Sequence, residues 1–419
     1  MRVLLINTSE KVGGASIACH RLMDALNHNG IKASMLVRDK QTDCPDVVQL
    51  RRRWTLPLIF VWERLMIFLN NGFKYGKVFQ ADIANVGTDI TSYPEFKEAD
   101  VIHLHWVNQG FLSLSNLKSI LHSGKKIVIT LHDQWYFTGI CHYSADCSRY
   151  EHQCAHCELL GPCGMDLAKS VFNTKRTIYQ NAPITFVGCS RWMADLARRS
   201  ALTVGHVVTN IPNAIDTALF CPRDKAALRR AQGWDEDVRV ILFGAQRITD
   251  ERKGFRYLVE ACNIIHECNA ELAKRLLVII MGGDGRTAAE VLPFNTWIPD
   301  YVSDMNRMAD IYNLADIYVT PSLQDNLPNT IVEAMACGVP CVGFNVGGIP
   351  EMIDHRTNGY VAAYKDATDL AYGIMWTLDS TRYATLCSNA RSKAVDTYSE
   401  ASVAKKYKEV YDNDSNSHL

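Results

Sequence analysis

The sequence has no excess of charge of one sign and no leading apolar segment of signal-peptide length. Its 44 Lys and Arg residues are balanced by 45 Asp and Glu residues, so no whole-protein field attracts nucleic acid. The apolar run at the N-terminus, Val3–Ile6, is followed by polar residues and is too short for a secretory leader. We therefore expect the chain to begin at residue 1 or 2, to act in the cytoplasm and to have no nucleic-acid partner.

The length and the apolar content predict two domains. The chain has 419 residues, 47% of them hydrophobic, which is enough for two cores of roughly 200 residues each. Strand-like runs alternate with helical stretches in the rhythm of parallel α/β sheets. These runs are 2–6, 100–105, 126–131, 238–244, 276–281, 316–320 and 339–343. The pattern predicts two doubly wound α/β domains.

The division between these domains is expected near residues 200–213, where glycine, proline and asparagine interrupt the pattern. We predict an N-terminal domain over 1–206 and a C-terminal domain over 207–397. The last helix, within 398–419, is expected to pack back on the first domain.

A polar loop between a strand and a helix carries the densest functional signal. The strand ends at Thr320 and the helix begins near Pro328, so backbone N–H groups face the carboxyl edge of the sheet, where a diphosphate fits. Asp325 and Glu333 lie eight positions apart and are expected to accept hydrogen bonds from paired hydroxyls on one extended ligand, as in a sugar and a ribose. The alternative for the pair, taken alone, is a capping Asp and a solvated helix Glu.

This block is similar to the donor-binding motif of family 4 retaining glycosyltransferases, in which an acidic residue precedes a Glu by eight positions. The similarity covers most of the chain, from Gly13-Gly14 to the segment 347–351. It implies the GT-B fold, that is, two Rossmann-like doubly wound parallel-sheet domains facing across a cleft. It also implies that Asp325 contacts the donor sugar and Glu333 the ribose. Asp stands where many members have Glu, which is expected to alter which sugar fits. The remaining donor-binding residues implied in this block are Asn326, Leu327, Asn329 and Thr330.

Two basic residues follow the first strand of the second domain, where an open α/β sheet binds ligands. They are Arg247 and Lys253, and in the resembling family an Arg and a Lys six positions apart clamp the donor phosphates. Side-chain cations and amide dipoles can stabilise the leaving group without a divalent ion. We therefore expect a nucleotide diphosphate sugar as donor substrate and no cofactor for catalysis.

In the first domain, Gly13 and Gly14 lie between a strand and a helix, where the backbone can approach a phosphate or the acceptor. His132 follows the strand 126–131, and the resemblance implies that it contacts the donor sugar. A His that satisfies a loop carbonyl is the alternative. His103 and His105 share one face of a buried strand and are predicted to be mainly structural, with a contact at the edge of the cleft as the alternative for His105.

Three further residues resemble nucleotide-pocket positions of the family. Asn213 opens the second domain, and Trp297-Ile298 follows a turn after Pro293. In the family, backbone groups at these positions contact the edge of the base and an apolar side chain packs on its face.

Five of the 14 cysteines fall between residues 141 and 163, and the other nine are scattered. Cys154 and Cys157 have the spacing that lets two thiolates converge on zinc, and Cys141 and Cys147 could complete a closed structural site. Reduced thiols and disulfides are the alternatives.

The stretch 51–69 begins with three arginines and continues with aromatic and aliphatic residues, interrupted by Pro57 and by Glu63-Arg64. It is a poor bilayer-spanning segment. It could lie on a membrane surface, at the inner face of the cell membrane, or form an apolar helix packed on the first domain.

Together with these features, the resemblance implies a retaining hexosyltransferase of bacterial polysaccharide biosynthesis that acts on a glycan or lipid-linked saccharide. The alternatives are a nucleotide-sugar epimerase of the same fold and a catalytically silent nucleotide-sugar-binding protein.

Overall fold

The computed structural model describes residues 1–51, 56–74, 78–161, 166–299, 302–379 and 381–413. The chain divides into two compact units. The first comprises Met1–Pro212 and Val403–Leu419, and the second comprises Asn213–Ser402.

The first unit is built on a parallel sheet. Its strands are β1 (Arg2–Ser9), β2 (Lys32–Asp39), β3 (Val47–Gln49), β4 (Val101–Leu104), β5 (Lys126–Leu131), β6 (Ile184–Gly188) and β7 (Val207–Asn210). They lie in the order β3-β2-β1-β4-β5-β6-β7, with every pairing parallel. The central strands β4 and β6 are buried along their whole length, as expected for a sheet covered on both faces.

Helices connect these strands. Those of the first unit are α1 (Gly14–His28), α2 (Leu56–Asn70), α3 (Pro94–Glu98), α4 (Leu114–Leu121), α5 (Leu167–Tyr179) and α6 (Arg191–Arg199). Polar side chains cap several of them: Ser113 forms a capping box at α4, and Ser190 accepts a hydrogen bond from the Met193 amide at α6. Ser190 is therefore a helix cap.

The second unit has a parallel sheet of its own. Its strands are β8 (Arg239–Arg247), β9 (Leu276–Gly283), β10 (Asn295–Trp297), β11 (Ile317–Thr320), β12 (Cys341–Phe344) and β13 (Gly359–Ala362). They lie in the order β10-β9-β8-β11-β12-β13, and every pairing is parallel.

Helices lie before, between and after the strands of this unit. They are α7 (Lys225–Ala231), α8 (Phe255–Cys268), α9 (Ala270–Ala273), α10 (Gly285–Ala289), α11 (Met305–Leu314), α12 (Asn329–Ala336), α13 (Ile349–Met352), α14 (Ala367–Leu378), α15 (Tyr383–Lys393) and α16 (Glu400–Asp412). Helix α16 starts in this unit and continues into the first. No helix in the described part of the chain is both long enough and apolar enough to cross a membrane.

The predicted fold class, two parallel-sheet α/β domains, is confirmed. The first unit extends beyond residue 206, where the sequence placed its end, because β7 pairs with β6 as the edge strand of the first sheet. Strand β12 begins at Cys341, after Pro340, and not at residue 339, since proline lacks the N–H that a strand ladder needs.

The C-terminal residues of α16 contact the sheet of the first unit through buried hydroxyls. Tyr411 shares a 2.7 Å hydrogen bond with Nδ1 of His103, and Tyr407 shares one of 2.8 Å with Thr130. Thr130 also lies 2.7 Å from Nε2 of His103. His103 is thus a structural residue, as the sequence predicted. Residues 414–419 of the predicted last helix lie outside the described residues.

Burial of His103 makes its contribution to stability depend on pH. Desolvation, with a smaller effect of His132, lowers the pKa of His103 from 6.5 to about 3. The unfolded chain therefore binds the proton first, so the stabilisation is complete above pH 6.5 and is lost as the pH falls toward 3. We expect unfolding by urea to be easier at pH 5 than at pH 8, with His103 contributing up to about 2 kcal/mol of the difference.

The variant His103→Gln tests this dependence. It is expected to be less stable at pH 8, because hydrogen bonds are lost, but to lose less further stability at pH 5. An equal loss between pH 8 and pH 5 in the variant and the parent would contradict the assignment.

Candidate functional site

A lysine and an aspartate from two neighbouring strand ends meet in the second unit. Lys253 lies in a single 3₁₀ turn, Glu251–Lys253, that follows β8. Asp325 lies in the loop after β11. The Nζ atom of Lys253 donates to Oδ2 of Asp325 at 2.6 Å, and both side chains are largely buried. Lys253 was predicted to contact the donor phosphates and Asp325 the donor sugar. These two side chains are therefore in direct contact with each other at the carboxyl edge of the sheet.

Close backbone approaches hold these loops together. Gly254 has a φ of +67°, and a Cβ at this position would lie 1.9 Å from the carbonyl oxygen of Pro321. The Leu323 amide donates to the Arg252 carbonyl at 2.7 Å. The loop after β8 is thus fixed against the loop after β11.

A similar approach fixes the Asp325 backbone. Gly347 has a φ of +60°, and its Cβ would lie 1.9 Å from the Asp325 carbonyl oxygen. The Gly348 amide donates to that oxygen at 3.2 Å. Only glycine combines this backbone conformation with this proximity.

Helix α12 begins beside this loop and carries the second predicted acid. Glu333 is buried, with 6% of its surface exposed, and its Oε2 accepts a 2.6 Å hydrogen bond from the Tyr312 hydroxyl. At the start of the helix, Asn213 donates to Oδ1 of Asn329 at 2.9 Å. Asn213 is thus placed at the amino end of α12.

The other predicted residues of this block lie around the same helix start. Asn326 and Leu327 are buried, and Thr330 hydrogen-bonds to the Tyr318 side chain. Tyr318 in turn donates to the Gly244 carbonyl of β8 at 3.2 Å. Strands β8 and β11 and helix α12 therefore share one polar network.

Arg247 ends β8 and is exposed, opposite Gly283 of β9. Next to it, an open pocket of about 300 Å³ follows the ends of β9 and β10. The pocket is lined by Gly282, Asp284, Gly285, Arg286, Thr287, Ile298 and Pro299. Ile298 thus lines this pocket, whereas the Trp297 ring lies against Trp234, with ring centroids 5.6 Å apart.

The glycine-rich segment Gly282–Gly285 is a feature that the sequence analysis missed. Gly282 has a φ of +138°, and its Cβ would lie 1.8 Å from the Ala245 carbonyl oxygen. Thr249 donates to Asp284 at 2.9 Å, which ties this loop to the loop after β8. The sequence could have indicated this segment, since three glycines at the junction of a strand and a helix are typical of close backbone approach to a ligand.

In the first unit, Gly13 and Gly14 begin helix α1 after a short loop. Gly13 is the N-cap residue with a φ of +90°, and no atom lies within 4 Å of where its Cβ would be. The helix start is therefore sterically open at this point.

His132 directly follows β5 and belongs to a cluster of neutral imidazoles. Its Nε2 lies 2.8 Å from Nδ1 of His105, and its Nδ1 lies 3.5 Å from the Cys189 sulfur. Burial lowers the pKa of His132 to about 4 and that of His105 well below 6.5. Near pH 7 His132 is thus an uncharged hydrogen-bonding group. His105 was predicted to be mainly structural, or else a contact at the edge of the cleft, and its contact with His132 was not predicted.

A buried lysine that the sequence analysis also missed supports the segment after His132. The Lys175 ammonium donates to the carbonyls of Trp135, Thr138 and Gly139 at 2.5, 3.1 and 3.0 Å. Burial lowers its pKa to about 7. A lone lysine in an amphipathic helix gives no sequence signal for such a role.

The four predicted zinc ligands, Cys141, Cys147, Cys154 and Cys157, line one small cavity and are free thiols. Burial raises the pKa of Cys141 to about 12 and that of Cys154 to about 11. Within the described ranges, no three His, Cys, Asp or Glu side chains are arranged to hold a metal ion. The donors are of the right kind, but as they stand they do not form a metal site, so zinc binding stays a prediction. Cys163 lies outside the described residues.

The same fold occurs in known glycosyltransferases. Sucrose-phosphate synthase from Thermosynechococcus elongatus superposes with a TM-score of 0.65 and 18% identity over 98% of both chains. HepE from Anabaena, solved in complex with UDP-glucose, superposes with a TM-score of 0.63 and 16% identity, over 98% of this chain and 99% of HepE. The fold is therefore GT-B.

Proteins similar to this chain in sequence also include glycosyltransferases. An N-acetyl-alpha-D-glucosaminyl L-malate synthase from Bacillus anthracis is 28% identical over 49% of this chain and 53% of its own length. An uncharacterized glycosyltransferase from Methanocaldococcus jannaschii is 26% identical over 79% of this chain and 89% of its own. A D-inositol 3-phosphate glycosyltransferase from Stackebrandtia nassauensis is 29% identical over 45% and 44%. The chain thus spans about half the length of the first and third of these relatives.

Residues 238–380 match the family model described as glycosyl transferases group 1. This segment contains Arg247, Lys253, Asp325 and Glu333. The chain therefore carries a glycosyltransferase group 1 domain, which confirms the glycosyltransferase resemblance found in the sequence.

The close approach of Gly254 to Pro321 can be tested against a matched glycine. We expect Gly254→Ala to lower the free energy of unfolding by about 2–5 kcal/mol, because a left-handed backbone and a steric clash both act. Gly233→Ala is the control, since Gly233 has a φ of +71° and nothing within 4 Å of its Cβ position. It should lose only about 1–2 kcal/mol. Equal losses in urea denaturation would show that the contact with Pro321 is unimportant.

Proposed function

We propose that this protein is a retaining glycosyltransferase that takes a hexose from a nucleotide diphosphate sugar and transfers it to a glycan or a lipid-linked saccharide. Cell-surface polysaccharide biosynthesis is the proposed setting. The observation that carries the proposal is the contact of Lys253 with Asp325, in the loop that leads into α12, the helix that carries Glu333, within the group 1 domain.

The charges and dipoles of this edge suit a sugar diphosphate. Lys253 supplies positive charge to the loop that leads into α12, and Arg247 supplies it at the end of β8. Positive charge and the amino end of a helix both favour phosphate. Asp325 and Glu333 supply carboxylate oxygens that accept hydrogen bonds from vicinal hydroxyls. Because Asp325 holds Lys253 before ligand binds, the ammonium is already positioned next to the proposed phosphate site.

The proposed donor is a nucleoside diphosphate hexose. A protein of the same fold, HepE from Anabaena, has been solved with UDP and with UDP-glucose. In this chain, the pocket that Ile298 lines would take the base, and Glu333 the ribose. Asn213, Asn326, Leu327, Asn329 and Thr330 complete the proposed donor-binding set of the second unit.

The proposed chemistry is a front-face displacement. The glycosidic C–O bond to the diphosphate breaks while the acceptor hydroxyl bonds to the same face of the anomeric carbon, and the departing phosphate takes the acceptor proton. Arg247, Lys253 and the backbone amides of α12 would stabilise the charge of the leaving group in place of a divalent ion. In the first unit, neutral His132 would hydrogen-bond to a sugar hydroxyl. Gly13-Gly14 would allow a ligand to approach the backbone at the start of α1.

Removal of the two basic side chains tests the proposed phosphate site. We expect Arg247→Ala/Lys253→Ala to weaken binding of the preferred nucleotide sugar at least about 100-fold, because each charge-assisted hydrogen bond contributes about 1.5–3 kcal/mol. The preferred donor is first chosen by thermal stabilisation, and affinity is then measured by calorimetry. The control is Lys274→Ala/Arg275→Ala, an exposed basic pair directly before β9 and so at the opposite edge of the same sheet. Unchanged affinity in a folded Arg247/Lys253 variant would overturn the proposal.

The stereochemistry and the metal requirement can be tested together. With an α-linked donor and a saccharide acceptor, we expect an α-linked product by NMR, at the same rate with or without a chelator. A β-linked product would exclude retention. Conversion of the donor without acceptor would identify an epimerase, and binding without any turnover a silent binding protein.

A further inference from the structure

Helix α2 exposes a continuous apolar stripe. Leu58, Val61, Trp62, Leu65 and Leu69 are between 41% and 69% exposed. Their spacing of three and four residues places them within an arc of about 100° on one side of the helix. We call these five residues the α2 stripe. The sequence left open whether this stretch lies on a membrane surface or packs on the first domain. The structure decides between them only in part, because one side of α2 packs on the first unit and the other side is exposed.

The opposite side of α2 is anchored by a buried ionic network. Arg64 pairs with Asp82 at 2.7 Å and with Glu63 at 3.0 Å, and it donates to the Val78 and Ala81 carbonyls. Glu63 accepts a hydrogen bond from the Ala84 amide. Turning the stripe inward would expose these charges or leave them unpaired, so the network fixes the stripe outward.

The sequence on either side of α2 carries charges of one sign. Between residues 51 and 80 the sequence has a single acidic residue, Glu63, and it is buried against Arg64. The remaining charges are basic and flank the helix. They are Arg51, Arg52 and Arg53 before it, and Lys74 and Lys77 after it. Of these, Arg51 and Lys74 are described and exposed.

This pattern selects among the surfaces that could cover the stripe. A second copy of the chain would bring basic residues against basic residues, whether the two helices ran parallel or antiparallel. An anionic bilayer matches both features, since apolar side chains enter the boundary of the acyl chains while basic flanks meet lipid phosphates. An exposed Trp such as Trp62 is also favoured at that interface.

We propose that the α2 stripe binds the surface of anionic membranes, with α2 lying in the membrane plane. This contact does not depend on the proposed transfer reaction, and it would bring the protein to a lipid-linked acceptor.

Vesicle flotation of the full chain tests the proposal. The vesicles contain either phosphatidylcholine alone or 30% phosphatidylglycerol in phosphatidylcholine. We expect binding to the anionic vesicles and at least about tenfold weaker binding to the neutral ones, with the difference reduced in 0.5 M salt. The variant Leu58→Ser/Trp62→Ser/Leu65→Ser should bind anionic vesicles at least about tenfold more weakly while keeping the thermal midpoint of the parent, since these side chains are exposed.

The matched control is Val204→Ser/Val207→Ser/Val291→Ser, which removes three valines that are each more than half exposed and lie outside α2. It should bind like the parent. The proposal is overturned if the parent binds no vesicle, or if the α2 and control variants bind equally. It is also overturned if the parent is a dimer that the α2 variant converts to a monomer without any vesicle binding, because the stripe would then face a second copy.

Discussion

The contact between Lys253 and Asp325 is the interaction around which the second unit's polar edge is organised. It joins the loop after β8 to the loop after β11 at 2.6 Å. Because the carboxyl ends of neighbouring parallel strands meet at one edge, residues 72 positions apart become contacts without any local sequence relation. A partly buried carboxylate needs a fixed cation, and the same cation is then available to a phosphate.

Three glycines allow the backbone to approach closely at this edge of the sheet. Gly254, Gly282 and Gly347 each have a positive φ and lie where a Cβ would collide with a backbone carbonyl. Gly254 and Gly347 bring the loops after β8 and β12 against the loop after β11, and Gly282 brings the end of β9 against β8. The loops are therefore pre-organised by the fold, which reduces the entropy that a ligand must overcome on binding.

The two parallel sheets were predictable because strand and helix periodicity are local patterns. Asp325 and Glu333 were singled out by their spacing together with the family resemblance, and their roles stay predictions. Contacts that depend on tertiary packing were not predictable in the same way. His105 beside His132 and Lys175 beneath Trp135 depend on which faces of distant elements meet. The Gly282–Gly285 segment could have been predicted from its glycines, although it lies outside the block that contains Asp325 and Glu333.

The Lys253–Asp325 edge is the proposed binding site for the diphosphate of the donor. A crystal structure of the full chain with a bound nucleoside diphosphate would test this proposal. We expect phosphate oxygens within hydrogen-bond distance of Lys253 Nζ and of the Arg247 guanidinium, next to the amino end of α12. A diphosphate bound elsewhere, with Lys253 still paired only to Asp325, would contradict it.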